Sequence, residues 1–408
     1  MNRSIRRLGA AALGLVVAGF AVPLGAIGPT GAGAFALAQT GPPVPEPVQK
    51  IFHRSCGVVG CHQGRFPKMA LNLETPEGTA GTIGASSTER PELKLVEPGD
   101  PEKSYILLKI RGDRSVSGSR MPKSRDPLRP EEIQAVRDWI TALKKGEQDS
   151  DQDAAPKDLV RRPLFPVPAF WGIRLVNLPT AQPIDKGHLL FRVSHRFFEP
   201  IGSGTPTFFG LDSGAHILLG FGYGISDNLG IFLSRSNVDQ DVELGLSWLA
   251  FSQGGPGRLP FSAAVHLSGN LTTLARDGRA LFDASNLGIN AAVSLVHQLS
   301  PRVSLLLVPA YASNSSHGDP SIRGTLSLGL GGRVMVFEDI SLIAEWIPVL
   351  SGFKGAADGW GLGIEKKIGG HVFQAFILNS HGLTTDQVLP GGDLRSGVRL
   401  GFNIFRTF

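Results

Sequence analysis

The chain of 408 residues holds two cysteines, and they stand close together in the run Ser55-Cys56-Gly57-Val58-Val59-Gly60-Cys61-His62. Two thiols followed at once by an imidazole is the set of groups that covalent haem attachment needs. The sulfurs add to the porphyrin vinyl groups and the adjoining histidine binds the iron. In the usual C-x-x-C-H spacing two residues separate the thiols, whereas four separate Cys56 from Cys61. The loop must therefore bulge while still presenting Cys56, Cys61 and His62 to one ligand, and Gly57 and Gly60 supply the backbone freedom for it. A disulfide between the same two thiols is the competing chemistry in an exported protein.

The elements around this run must position it. Upstream, Val48, Ile51 and Phe52 fall on one face of a short helix covering 46–55. Downstream come Gly118-Ser119-Arg120-Met121-Pro122 and then a helix that opens on Pro130, Glu131 and Glu132 and closes near Lys144, Lys145 and Gly146. Its Ile133, Val136, Ile140 and Leu143 form one stripe with Trp139 at the edge. In these four features, residues 44–145 resemble a small monohaem class I cytochrome c. The resemblance implies an all-α domain carrying one covalently attached haem c on Cys56 and Cys61, with His62 as proximal iron ligand. It also implies Met121, in the Met-Pro loop, as distal ligand, with Met69 and His53 as the rivals. One-electron exchange with a periplasmic redox partner protein would follow, at a potential raised by the thioether ligand.

Export fits that chemistry. Residues 1–38 have a basic start at Arg3, Arg6 and Arg7, an apolar centre from Leu8 to about Ile27, and Ala36-Leu37-Ala38 before Gln39, the form of a signal peptide. The composition, 42% hydrophobic and 18% charged, is that of folded protein. The formal charge of +5 includes the three arginines of the export segment, too small a surplus to argue for nucleic acid. An acidic, then proline-rich linker spans 146–186. Its later part, with Phe165, Phe170 and Trp171, reads either as an extended connector or as a segment tucked into the mouth of the next domain.

From Gly187 the residues alternate apolar and polar over runs of about ten, the pattern of transmembrane β-strands. Leu189, Phe191, Val193 and Phe197 oppose Arg192, Ser194 and Arg196; Val242, Leu244, Leu246, Trp248 and Ala250 oppose Glu243, Gly245 and Ser247; Phe261, Ala263, Val265 and Leu267 oppose Ser262, His266, Ser268 and Asn270. Twelve such runs occur, at 187–198, 214–225, 228–236, 240–251, 259–270, 287–299, 302–312, 323–337, 340–349, 358–368, 371–380 and 395–408. Tight turns at Ser226-Asp227, Ser300-Pro301, Glu338-Asp339 and Gly369-Gly370 alternate with longer polar loops, and the last run ends on Phe408. These features predict an antiparallel up-and-down barrel in the outer membrane over 187–408, and the region resembles a poorly characterised family of bacterial β-barrels. A soluble β-sandwich also alternates, but it has no need of an apolar outer face on nearly every strand.

The histidines at 188, 195, 216, 266, 297, 317, 371 and 381 are scattered without metal-ligand spacing, and no catalytic constellation stands out. The expectation is therefore a multidomain protein that is not an enzyme: a haem-binding electron carrier tethered to outer-membrane lipid, its haem domain in the periplasm. The alternative makes the barrel primary, as a pore or transporter with a redox-sensing or accessory periplasmic domain. One haem on one side cannot bridge a hydrocarbon layer ~30 Å thick.

Overall fold

The computed structural model describes residues 44–64, 67–123, 125–143, 168–254, 259–274, 280–315 and 324–408. The expected signal peptide at 1–38 and the acidic part of the linker lie outside the described residues.

Among the described residues the N-terminal domain has four α-helices: α1 (Glu46–Ser55), α2 (Pro76–Ala80), α3 (Tyr105–Arg111) and α4 (Pro130–Ala142). Helix α1 buries Val48, Ile51 and Phe52, as its spacing requires, and α4 buries Val136, Trp139 and Ile140. The two meet where the rings of Phe52 and Trp139 pack edge to face, 6.0 Å between centroids. A capping box starts α4: the Glu132 carboxylate accepts from the Arg129 backbone N–H at 3.0 Å, and also from the Arg129 and Arg54 guanidiniums at 2.8 and 2.5 Å. The contact to Arg54 ties the start of α4 to the end of α1. Helix α3 is buried from Tyr105 to Ile110 and stops at Gly112, whose φ of 72° is the left-handed conformation that glycine adopts without strain. Helices α1, α3 and α4, with Leu73, Ile83, Val96 and Leu128, enclose one apolar core that includes Cys56.

Residues 189–407 form a closed antiparallel barrel of twelve staves, the number the alternation predicts. They are β1 (Leu189–Phe197), β2 (Ala215–Gly224), β3 (Leu229–Ser236), β4 (Asp241–Phe251), β5 (Ser262–Thr272), β6 (Leu287–Gln298), β7 (Val303–Ser313), β8 (Gly324–Phe337), β9 (Ile340–Ile347), β10 (Gly359–Ile368), β11 (His371–Leu378) and β12 (Arg399–Thr407). The stave of β9 continues past Pro348 as Val349–Ser351, still beside β8. Each strand pairs with its neighbours in sequence, and β12 closes the ring on β1 with Leu190 opposite Thr407 and Arg196 opposite Gly401. Closure leaves no strand edge for the hydrocarbon to meet.

Alternate residues face out, and the outer face is apolar and exposed: Leu219, Phe221, Leu233, Leu244, Trp248, Ile289, Leu342, Trp346 and Leu362 all lie on it. So continuous an apolar surface belongs in lipid. Tyr223 and Trp248 sit toward the end where the first strand begins and the last one finishes, and Trp346 faces Trp360 across the β9–β10 pair at the other end, as aromatic girdles do. The β4–β5 ladder has one interruption. The interruption is a bulge at Ala250 of β4, between Leu249 opposite Ala264 and Phe251 opposite Ala263, while β5 keeps its register with β6 and sets Ala263 opposite Leu295.

Candidate functional site

Two regions carry unusual side-chain arrangements, the loop after α1 and the inside of the barrel. In the loop, the backbone N–H groups of Cys56 and Gly57 both bond to the Phe52 carbonyl, ending the helix, and His62 N–H returns to the Cys56 carbonyl at 3.1 Å. Lys68 N–H then bonds to Cys61 O, and Leu73 N–H to His62 O. The four-residue spacing is thus absorbed as a closed, hydrogen-bonded turn. Gly60 has φ 77°, which requires glycine, whereas Gly57 is needed for close approach: a Cβ there would stand 2.6 Å from the Leu73 and Glu74 backbone.

Cys56 is buried and Cys61 half-buried, and neither forms a disulfide. Burial pushes the Cys56 thiol up to about 12, so it is a neutral thiol. The His62 ring lies with Nδ1 3.1 Å from the Lys68 carbonyl. That bond fixes the ring as a backbone carbonyl orients an imidazole in metal sites, and the ring makes a second backbone hydrogen bond, to Leu71. Met121 is half-buried, its N–H bonded to the Lys109 carbonyl. Met69 is 53% exposed and sits at φ 56°. His53 is on the exposed face of α1. Three buried groups of the domain that can donate, the Thr79 hydroxyl, Arg120 Nη1 and Trp139 Nε1, have no partner among the described residues.

The turn also meets the barrel. Gly60 lies against Gly369 in the β10–β11 turn so closely that a Cβ on Gly60 would overlap its backbone at 2.0 Å, and Val59 packs on Gly370. Gln63 Nε2 is 3.0 Å from the ring of His188, just before β1.

Inside the barrel lie residues 168–184, the part of the linker for which two placements were open. The segment is a plug. Leu175, Val176 and Leu178 are fully buried, and Leu175 N–H bonds to Leu178 O in a tight turn. At the turn, Glu345 of β9 accepts from the backbone N–H groups of Val176, Asn177 and Leu178 at 2.9 to 3.1 Å, and from the Asn177 amide at 2.9 Å. The wall bonds the rest of the segment: Arg196 to Asn177 Oδ1, Asn403 to Val176 O, Gln374 to Arg174 O, Ser294 to Pro179 O, and Arg333 to Pro168 O. Arg333 also covers the Trp171 ring at 4.8 Å.

Wall glycines make the space. A Cβ at Gly329 would meet Leu178 at 2.4 Å, one at Gly331 would meet Leu175 at 2.5 Å, and one at Gly361 would meet Val176 at 3.1 Å. The inward face is correspondingly not polar throughout. Ala292, Val296, Leu306, Val308, Ile343, Ile347 and Phe376 point inward and form one core with Phe170, Leu175, Val176 and Leu178 of the plug.

From the opposite end the loop between β11 and β12 folds in and carries α5 (Thr385–Val388). Val388 and Leu389 join the same core, Ser327 bonds to the Leu389 carbonyl, and Asn270 bonds both Asp241 and Asp386. The lumen is thus filled from both mouths.

The structure places Cys56, Cys61 and His62 in one turn and Met121 on a separate loop of the same domain. The plug residues and Glu345 have no motif that singles them out in the sequence. The signal that could find them is a run of inward glycines beside a proline-rich segment containing large apolar residues.

Solved structures similar to the barrel part include the NanC porin (10% identity, TM-score 0.35, covering 54% of this chain and 98% of that chain) and the KdgM porin (10%, 0.35, 54% and 99%). An outer membrane channel from Pseudomonas putida F1 is similar at 12% identity, TM-score 0.36, over 56% of this chain and 98% of that one. No curated protein matches the chain. Residues 170–408, the barrel together with its plug, match the family model described as a membrane bound beta barrel domain (DUF5777), and the chain belongs to that family.

Proposed function

We propose that the protein is an outer-membrane channel of the gated kind, held closed by its own plug, with the N-terminal domain as an accessory at the periplasmic mouth. The observation that carries this is the way Glu345 holds the plug. A carboxylate on the wall accepts four hydrogen bonds from one turn of a segment that is otherwise continuous with a long linker. A barrel serving only as an anchor could be filled by side chains alone. Here a removable segment fills it, against glycines that leave space where side chains would stand. The tight turns lie at the end that bears both barrel termini, which orients that end to the periplasm.

The test is conductance of the purified full chain in planar bilayers, beside a variant lacking residues 168–184. The intact chain is expected to be silent or to open in rare bursts, and the deleted one to conduct steadily. A folded deletion variant that stays silent sinks the channel reading.

A second reading concerns the N-terminal domain, as a haem c carrier or redox sensor. It is supported by two unpaired cysteines on a turn that also fixes His62 Nδ1 on a carbonyl. Cys56 and Cys61 would hold the porphyrin, His62 would take the proximal position and Met121 the distal one. The haem would supply one-electron redox chemistry, while the chain's own residues orient the imidazole and keep the site apolar. A reduced-minus-oxidised spectrum, taken after production in a host competent for cytochrome maturation, decides it: no haem retained after denaturation ends this reading.

A further inference from the structure

Between the plug and the wall of β1–β5 lies a cavity of about 50 Å³, several times the space one water needs. The residues around it are unusual for a lumen that holds acidic groups elsewhere. The polar ones are Arg174, Thr180 and Gln182 of the plug and Arg192, Ser234, Ser247 and His266 of the wall, and among the described residues no carboxylate lines it. Arg192 is buried and Arg174 half-buried.

Among the described residues the guanidiniums make few bonds. Arg192 Nε donates to Ser194 Oγ at 2.8 Å, Arg174 Nη1 reaches the Asn177 carbonyl at 3.3 Å, and neither forms a salt bridge. The Ser234 hydroxyl, on a residue 5% exposed, has no partner among the described residues. Glu243 and Glu345 are the acidic groups that act on Arg174, Arg192 and Arg196, and Glu345 is already bonded to the plug turn. Among the described residues neither guanidinium at the cavity has a carboxylate in contact with it. A buried guanidinium without an anionic partner is costly, and a planar fork of donors fits an oxyanion.

We infer that this cavity binds a small inorganic oxyanion, of the phosphate, sulfate or nitrate class, clamped between Arg174 on the plug and Arg192 on the wall. Leu190, Gly222 and Gly230, near the periplasmic ends of their strands, form its lower side. The ion would therefore arrive from the periplasm. Once bound, it joins plug to wall, so it deepens the gated-channel reading; the binding itself does not depend on whether the barrel conducts.

Calorimetric titration of the full chain in detergent with sodium phosphate tests it, against sodium chloride at matched ionic strength. Saturable binding at one site is expected from phosphate and not from chloride. Arg174→Gln should weaken it about tenfold or more, and Ser234→Val by a smaller factor. Arg174 belongs to the plug, so its replacement leaves the strand ladder intact even where Arg192→Gln does not fold. Heat-modifiable gel mobility verifies the barrel in each variant. Absence of saturable oxyanion binding by the intact chain, or undiminished binding in folded Arg174→Gln, overturns the proposal. Conductance plays no part in the titration, so the site can fail while the channel stands, and the reverse.

Discussion

The helical domain and the barrel solve burial in opposite ways. Around α1 and α4 the apolar stripe points inward and charges such as Lys50 and Glu46 point to water. In the barrel the apolar residues point out, and the interior holds Arg192, Arg196, Glu243, Arg333, Glu345 and Glu365. The helical domain rests on burial of apolar surface, which needs little geometric accuracy. The lumen rests on hydrogen bonds that must be completed, because a buried charge that loses its partner is strongly unfavourable. Only the second arrangement depends on a separate segment to satisfy it.

The sharpest way to break this contrast is Glu345→Ala. It leaves three backbone N–H groups and the Asn177 amide without their acceptor. Loss of about 3–5 kcal/mol from the plugged state is expected, read as protease access to residues 168–184 and as new conductance. The same change should leave the unfolding of the helical domain untouched. Phe52→Ala does the reverse. Removing the ring that meets Trp139 should destabilise that domain by about 3–4 kcal/mol in urea, while barrel mobility on gels is unchanged.

A subtler probe compares neighbours on one strand. Gly331→Val pushes a side chain into Leu175 of the plug and should cost about 1–3 kcal/mol. Leu330→Ala, one residue away on the lipid face, should barely alter plug retention, since its side chain does not meet the plug. Equal effects on plug proteolysis from the two substitutions would contradict the assignment of faces.

The smallest effect expected is that of acid. The Arg129 guanidinium first, with the Arg129 backbone and Arg54, holds Glu132 down at about 2. A carboxyl lowered in the folded state stabilises above its ordinary value near 4 and loses that contribution as pH falls toward about 2. Both arginines are well exposed, so solvent screening limits the contribution to roughly 1 kcal/mol. Near-ultraviolet circular dichroism should show the α1–α4 contact loosening in that window, and Glu132→Gln should remove the pH dependence.

Much of the fold is legible in the sequence. Alternation locates the twelve staves because a strand's two faces meet lipid and lumen, and that contrast is written residue by residue. Local spacing likewise locates α1 and α4, and Gly60 its turn. What is not legible has no local period. The plug has neither strand nor helix spacing, and its partner Glu345 lies 167 to 169 residues away. The inward glycines 329 and 331 read only as an oddly glycine-rich strand until Leu175 and Leu178 stand against them.

The sequence by itself determined the kinds of surface this chain builds: an apolar stripe on helices, an apolar outer wall on strands, and a thiol–imidazole turn. Only the tertiary structure decided what fills the barrel, for a physical reason. Which face is apolar is a property of a single strand. Which groups complete a buried guanidinium or carboxylate depends on segments that meet only after the ring closes.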